Sequence, residues 1–144
     1  MAILTLVTIL AATYFAGAAV YINLVEHPAR LSCGTEIAAR QWAPSYHRAT
    51  LTQVPLALTA TLGGIARWLQ SGDPMWFYGA ASIFAVIPLT LLVILPTNKR
   101  LLRPDRDLAS PETRSLLERW GRLHALRSAL SVASSVLLIW AATH

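Results

Sequence analysis

The stretch MAILTLVTILAATYFAGAAVYINLV, Met1–Val25, runs for 25 residues without an Asp, Glu, Lys or Arg. The hydrocarbon core of a bilayer takes roughly 20 consecutive apolar residues per helix, so this run is long enough to cross one. It has no basic residues ahead of it and exceeds the apolar length of a cleavable leader, so it reads as a retained helix. Three more segments lack those charges: Ala49–Ala66, Met75–Thr97 and Ser128–Thr143. They are apolar all round, with scattered Thr and Ser that a helix satisfies against its own backbone. A soluble bundle would carry polar outer faces instead. Of the 144 residues, 55 % are hydrophobic and 13 % charged, where an ordinary globular domain has about 25 % charged residues. The expected fold is all-α: one domain over residues 1–144, an integral membrane four-helix bundle with helices at about 2–27, 44–69, 74–97 and 111–142. The lipid bilayer is its first partner.

The charges between those helices set an orientation. Arg30, Arg40 and Arg48 lie between the first and second helices, and seven basic residues from Lys99 to Arg122 lie between the third and fourth. The second loop offers only Arg67. By the positive-inside rule the first and third loops are cytoplasmic and both termini face outward. That rule also accounts for the net charge of +5, so no nucleic-acid partner is expected. The predicted location is a cell membrane, crossed several times, of the bacterial inner-membrane kind. Trp68, Trp76 and Trp140 then mark the outer interface, Trp42 and Trp120 the inner one.

Helix limits have local causes. Pro44 is expected to open the second helix at its first position, where a missing N–H costs nothing. Asp73-Pro74 and Ser110-Pro111-Glu112 read as N-cap and first turn of helices three and four. Pro55 and Pro88 should kink their helices, and Pro96 should end or bend the third. Residues Leu31–Ala43 are expected as a short interfacial helix. Gly63-Gly64 reads as a helix contact, and the small residues Ser128, Ala129, Ser131, Ala133, Ser134 and Ser135 suit close packing of helix four. The single cysteine, Cys33, permits no internal disulfide and no Cys-based metal site.

Polar residues able to do chemistry gather where helices one and three end and helices two and four begin. Asn23 and Glu26, three apart, are expected on one face. Trp120, His124 and Arg127 form one stripe at i, i+4, i+7. The charge-free part of helix four is 16 residues, about 24 Å at 1.5 Å per residue, so the span must draw in Arg127 and His124. An ionisable residue at that depth is a functional candidate with a partner to be named, and Glu26 is the nearest carboxylate. Plainer readings stand beside these: Arg127 snorkelling to the interface, a Glu26–Arg30 surface pair, Asn98 capping helix three, and solvated histidines. His27, His47, His124 and Glu26 together suffice for a transition metal, and His47 with His124 for haem. No pair has the spacing of a helical metal motif. Catalytic triads, phosphate-binding glycine loops and nucleotide motifs are absent.

Asn23-x-x-Glu26-x-Pro28, Leu95-Pro96-Thr97-Asn98-Lys99-Arg100-Leu101 and Trp120-x-x-x-His124-x-x-Arg127 give the chain its family look. It resembles the anthrone oxygenase-like family of small four-helix membrane proteins over nearly its whole length. Gln41–Arg48 looks particular to a subgroup. Members with an assigned role convert anthrones to anthraquinones without flavin or metal; the resemblance therefore implies a membrane-embedded oxidoreductase of a lipophilic aromatic or quinone-like molecule, needing no cofactor. In that reading His124 is the base, Arg127 and Asn98 hold an oxyanion, and Glu26 orients them. Asn23, Trp120, His47 and Tyr46 would bind substrate. The alternatives are a haem- or metal-binding membrane protein and a non-enzymatic membrane subunit or channel. A homo-oligomer is compatible with each.

Overall fold

A computed structural model describes residues 2–144. Four helices are each long and apolar enough to cross a membrane: α1 (Ala2–Ser32), α2 (Thr35–Ser71), α3 (Pro74–Leu101) and α4 (Pro111–Thr143). No strand occurs among the described residues. Consecutive helices pack side by side and α4 closes on α1, giving an up-down-up-down bundle. Leu6 and Leu10 on α1, Leu58 and Leu62 on α2, Leu91 and Leu92 on α3 and Val136 and Ile139 on α4 all face outward. Such a surface suits hydrocarbon, where association comes from close packing of small residues instead of from apolar burial.

Small residues provide that packing. Ser128, Ser131, Ser134 and Ser135 are buried along α4, and the Ser134 hydroxyl donates to the Gly79 carbonyl of α3 at 2.7 Å. Gly63 lies against the Thr8 side chain of α1, and Gly64 against Ala80 and the Trp76 carbonyl of α3. A Cβ at Gly63 would collide with Thr8. Gly63→Ala is therefore expected to destabilise the bundle by about 1–3 kcal/mol, the usual cost of overpacking, and Thr8→Ala to restore most of that loss. Thermal unfolding of both variants in detergent checks this; an unaffected single variant would sink it.

The expected caps form. Asp73 Oδ1 accepts from the Met75 N–H at 2.9 Å, and Ser110 Oγ accepts from the Thr113 N–H at 3.2 Å. The start of the second helix differs from expectation. Pro44 does not open it: the helix begins at Thr35, directly after Gly34 (φ +94°), and Pro44 lies inside. Residues Thr35–Ala43, expected to belong to a separate interfacial helix, form the first turns of α2. A turn at Gly34 needs only the positive φ that glycine adopts freely, and nothing else interrupts the helical run.

Three other prolines reshape their helices upstream. In α1 the backbone widens to a π turn over Ile22–Glu26, just before Pro28. In α3 the helix breaks at Ala85, before Pro88, and widens over Leu89–Ile94, before Pro96. A proline has no N–H for the carbonyl four residues back and its ring crowds that carbonyl; a π adjustment re-satisfies the freed groups. Pro96 accordingly bends α3 without ending it, and the helix runs on to Leu101. The tryptophan belts also need correction. Trp42, Trp76 and Trp120 are buried inside the bundle, whereas Trp140 is exposed.

Candidate functional site

Two apolar clusters fill the bundle. One contains Phe15, Ala60, Trp76, Ile83 and Leu138, the other Ile22, Trp42, Ile94, Leu117 and Trp120. Between them lies a polar chamber whose walls include Arg30, Tyr46, Gln53, Asn98, His124 and Arg127. Its volume is about 20 Å³, room for about one water molecule. All four helices contribute, and the chamber sits toward the arginine-rich end.

The π turn of α1 decides who meets whom. Asn23 turns toward α4: its Nδ2 donates to the Gly121 carbonyl at 2.9 Å. A carbonyl only accepts, so the amide orientation is set by this bond and Oδ1 must face the other way. Oδ1 accepts from the Ser128 hydroxyl at 2.5 Å and lies 2.6 Å from His124 Nδ1. His124 therefore carries its proton on Nδ1. In the neutral ring Nε2 then bears the lone pair, and among the described residues it has no hydrogen-bond partner.

Glu26 turns the other way, toward α2. It accepts from Gln41 Nε2 at 2.9 Å and Ser45 Oγ at 2.8 Å, and forms an ion pair with Arg30. The expected Glu26–Arg127 pair does not exist, either directly or through His124. A π turn changes the angular offset between residues three apart, so Asn23 and Glu26 leave the common face that a regular helix would give them. The early start of α2 then supplies Gln41 and Ser45 to Glu26. Arg127 lies beside the other apolar cluster: its Nη2 donates to Gln53 Oε1 at 2.7 Å and its guanidinium sits 5.1 Å from the Phe15 ring centroid.

Glu26–Arg30 is more than a surface pair, because Arg30 is 4 % and Glu26 24 % exposed. Two guanidiniums, Arg30 and Arg127, thus line the chamber while Glu26 stands behind Arg30, which favours an anionic oxygen there. Glu26→Gln strands a buried cation, at an expected cost of about 1–3 kcal/mol. Adding Arg30→Met should recover much of it. Melting temperatures of the single and double variants decide the matter; a double variant worse than the single one contradicts the pairing.

Asn98 is buried, and neither its Nδ2 nor its Oδ1 finds a protein partner. It does not spend its side chain on capping α3. Trp42 Nε1 and Arg127 Nε are likewise buried without a partner among the described residues, so residues of the chamber wall keep polar groups that the described protein leaves unsatisfied. The Trp120 ring is boxed in by His27, Trp42 and His124, with centroid separations of 4.9, 5.7 and 4.8 Å. Tyr46, stacked on Trp42, lines the chamber and also an adjoining cleft.

His47 is not part of this site. It is exposed on α2, one residue and about 100° around the helix from Tyr46. The four alternative metal ligands are dispersed: His27 Nε2 donates to the Leu117 carbonyl at 2.9 Å, while His124, Glu26 and His47 are engaged or placed as described. Among the described residues no three His, Cys, Asp or Glu side chains gather as a metal would require. Trp42 and Ser128 were not expected at the site, and Arg30 and Gln53 were expected at this end of the bundle without a role in it. The signal available for Gln53 was an amide in an otherwise apolar span.

A family model described as anthrone oxygenase matches residues 42–137, from the first turns of α2 through most of α4. The chain is 39 % identical over 82 residues to the anthrone oxygenase tpcL of Aspergillus fumigatus, covering 55 % of this chain and 47 % of that protein. It thus spans about half the length of that relative. It is 29 % identical over 136 residues to the anthrone oxygenase ptaC of Pestalotiopsis fici, covering 82 % of this chain and 95 % of that protein. An anthrone oxygenase of Claviceps purpurea is 26 % identical over 145 residues, covering 91 % and 83 %. No solved structure matches the chain. These relatives are fungal, which leaves the expected bacterial inner membrane without support. The four-helix arrangement, the three motifs that suggested it and the match across two-thirds of the sequence agree: the chain belongs to the anthrone oxygenase family.

Proposed function

We propose that this protein is a membrane-embedded, cofactor-independent oxygenase of an anthrone-like, polyketide-type aromatic. The observation that carries the reading is His124 with Nε2 free and Nδ1–H held by Asn23, one helical turn from Arg127. In the reaction, His124 Nε2 removes the acidic C–H proton of the substrate. Arg127 and Asn98 Nδ2 hold the conjugated oxygen as it gains negative charge. The electron-rich carbanion then passes an electron to dioxygen, and the resulting pair combines to a C–O bond. The peroxide anion takes back the proton held by His124, the hydroperoxide loses water and a second carbonyl is left, so anthrone plus O2 gives anthraquinone plus H2O. Glu26 acts at one remove, holding Arg30 at the chamber wall. The loop charges support a cytoplasmic location for the chamber end, with both termini outside, in a cell membrane.

The test is oxygen uptake by the purified protein in detergent with an anthrone. One O2 consumed per anthraquinone formed, in protein freed of metal by a chelator, is the expected result. A rate no greater than the spontaneous one, with haem or metal found in the purified protein, would transfer the case to the ligand-binding alternative.

A further inference from the structure

Helices α2 and α3 pack together along Pro74–Phe84 but hardly touch beyond the break at Ala85. The gap is an apolar cleft of about 350 Å³, within the size range of small-molecule pockets. Its rim residues Val54, Leu58 and Leu91 are exposed on the outer surface of the bundle, inside the apolar spans, so the cleft opens toward hydrocarbon. It shares Tyr46, Thr50, Gln53 and Arg127 with the wall of the polar chamber, and of these Gln53 is buried. Apolar outside and polar at its floor, the cleft has the polarity of a flat hydrophobic ring system bearing oxygen on one edge.

A second opening competes for the role. On the α1 side, a wide crevice of about 600 Å³ lined by Glu26, Gln41, Ser45 and Arg48 shares Ser45 and Ala49 with the chamber. Its wall mixes apolar residues with the charges of Glu26 and Arg48, and a ring system arriving there would have to pass a carboxylate and an arginine. A lipophilic aromatic is already concentrated in the bilayer, where the other opening lies.

We infer that the α2–α3 cleft is the binding site for the aromatic body of the ligand, reached laterally from the bilayer, with the Arg127–Gln53 hydrogen bond as its threshold. This rests on the proposed function for the class of ligand. The ring body occupies the cleft against Tyr46 and Phe15, with its oxygen at Arg127 and its acidic C–H turned toward His124 at the chamber wall. A chamber with room for about one water molecule cannot hold three fused rings, so the body must lie outside it.

The experiment uses the whole protein in phosphatidylcholine nanodiscs with 2-azidoanthraquinone as a photolabel, followed by peptide mapping. Adducts on Val54, Leu58, Ile87 or Leu91 that unlabelled anthraquinone displaces are the expected result. Adducts confined to Gln41 and Arg48, or spread evenly over all lipid-facing helices, overturn the inference. Displacement by oleic acid as efficient as by anthraquinone also overturns it, since the cleft would then be a berth for acyl chains. Leu58→Trp and Leu91→Trp narrow the opening from residues that already face outward, so folding is unaffected. Each should cut labelling and kcat/KM by about tenfold or more, as pocket shape commonly does. Turnover that survives both substitutions, with labelling elsewhere, sinks lateral access and leaves the oxygenase reading intact. Labelling in the cleft by a protein without turnover keeps the binding site and sinks the oxygenase reading.

Discussion

His124→Ala is expected to lower anthrone turnover by about 10²- to 10⁴-fold, the usual contribution of a positioned general base. Neither His27 nor His47 can replace it. His27 commits Nε2 to the Leu117 carbonyl, and His47 faces away from the chamber. The fold should survive, because Asn23 keeps its bonds to Gly121 and Ser128 when the imidazole is gone. Asn23→Leu should reproduce a smaller part of the loss in kcat with little change in KM, since it frees the ring without removing it. Oxygen uptake measured beside thermal unfolding separates the two effects. A folded His124→Ala protein with unchanged turnover would end the assignment of the base. Release of a bound metal by the same substitution would identify the histidine as a ligand instead.

Arg127→Leu should cost about 10²- to 10³-fold in kcat, the typical effect of deleting one stabilising group from an oxyanion site. Its effect on stability should have the opposite sign. Arg127 is a charge held between apolar clusters by one neutral amide, Gln53, and a leucine of similar reach carries no desolvation cost. Loss of turnover with an unchanged or raised melting temperature is a combination that general unfolding cannot produce. Arg127→Lys should fall between, keeping charge but losing the planar fork that bonds Gln53 and the ligand oxygen together. Full turnover in Arg127→Leu would remove the oxyanion role and favour snorkelling as the reason for this residue.

Much of the molecule is local in origin and readable without a structure. Met1–Val25 and the other uncharged runs fix four spans by length and hydropathy alone. Asp73 and Ser110 bond the first turns of their own helices, and the small residues of α4 allow close approach. The Trp120–His124–Arg127 stripe was readable for the same reason: one regular helix places all three, and its periodicity is a property of the chain. Relations between helices are different. Whether Glu26 meets Arg127 or Arg30 depends on the rotational phase of α1, and the π turn at Ile22–Glu26 changes that phase within one turn. Whether His47 faces in or out depends on how α2 is rotated against its neighbours, and that rotation turns Gln53 inward and leaves His47 exposed. The prolines that cause the π turns were visible, but how the backbone absorbs a missing N–H was not, because several adjustments satisfy the same carbonyl. Residue type and spacing determine which groups share a helix. Only packing determines the angle at which one helix shows them to the next, and the chamber, the Arg127–Gln53 threshold and the cleft all depend on that angle.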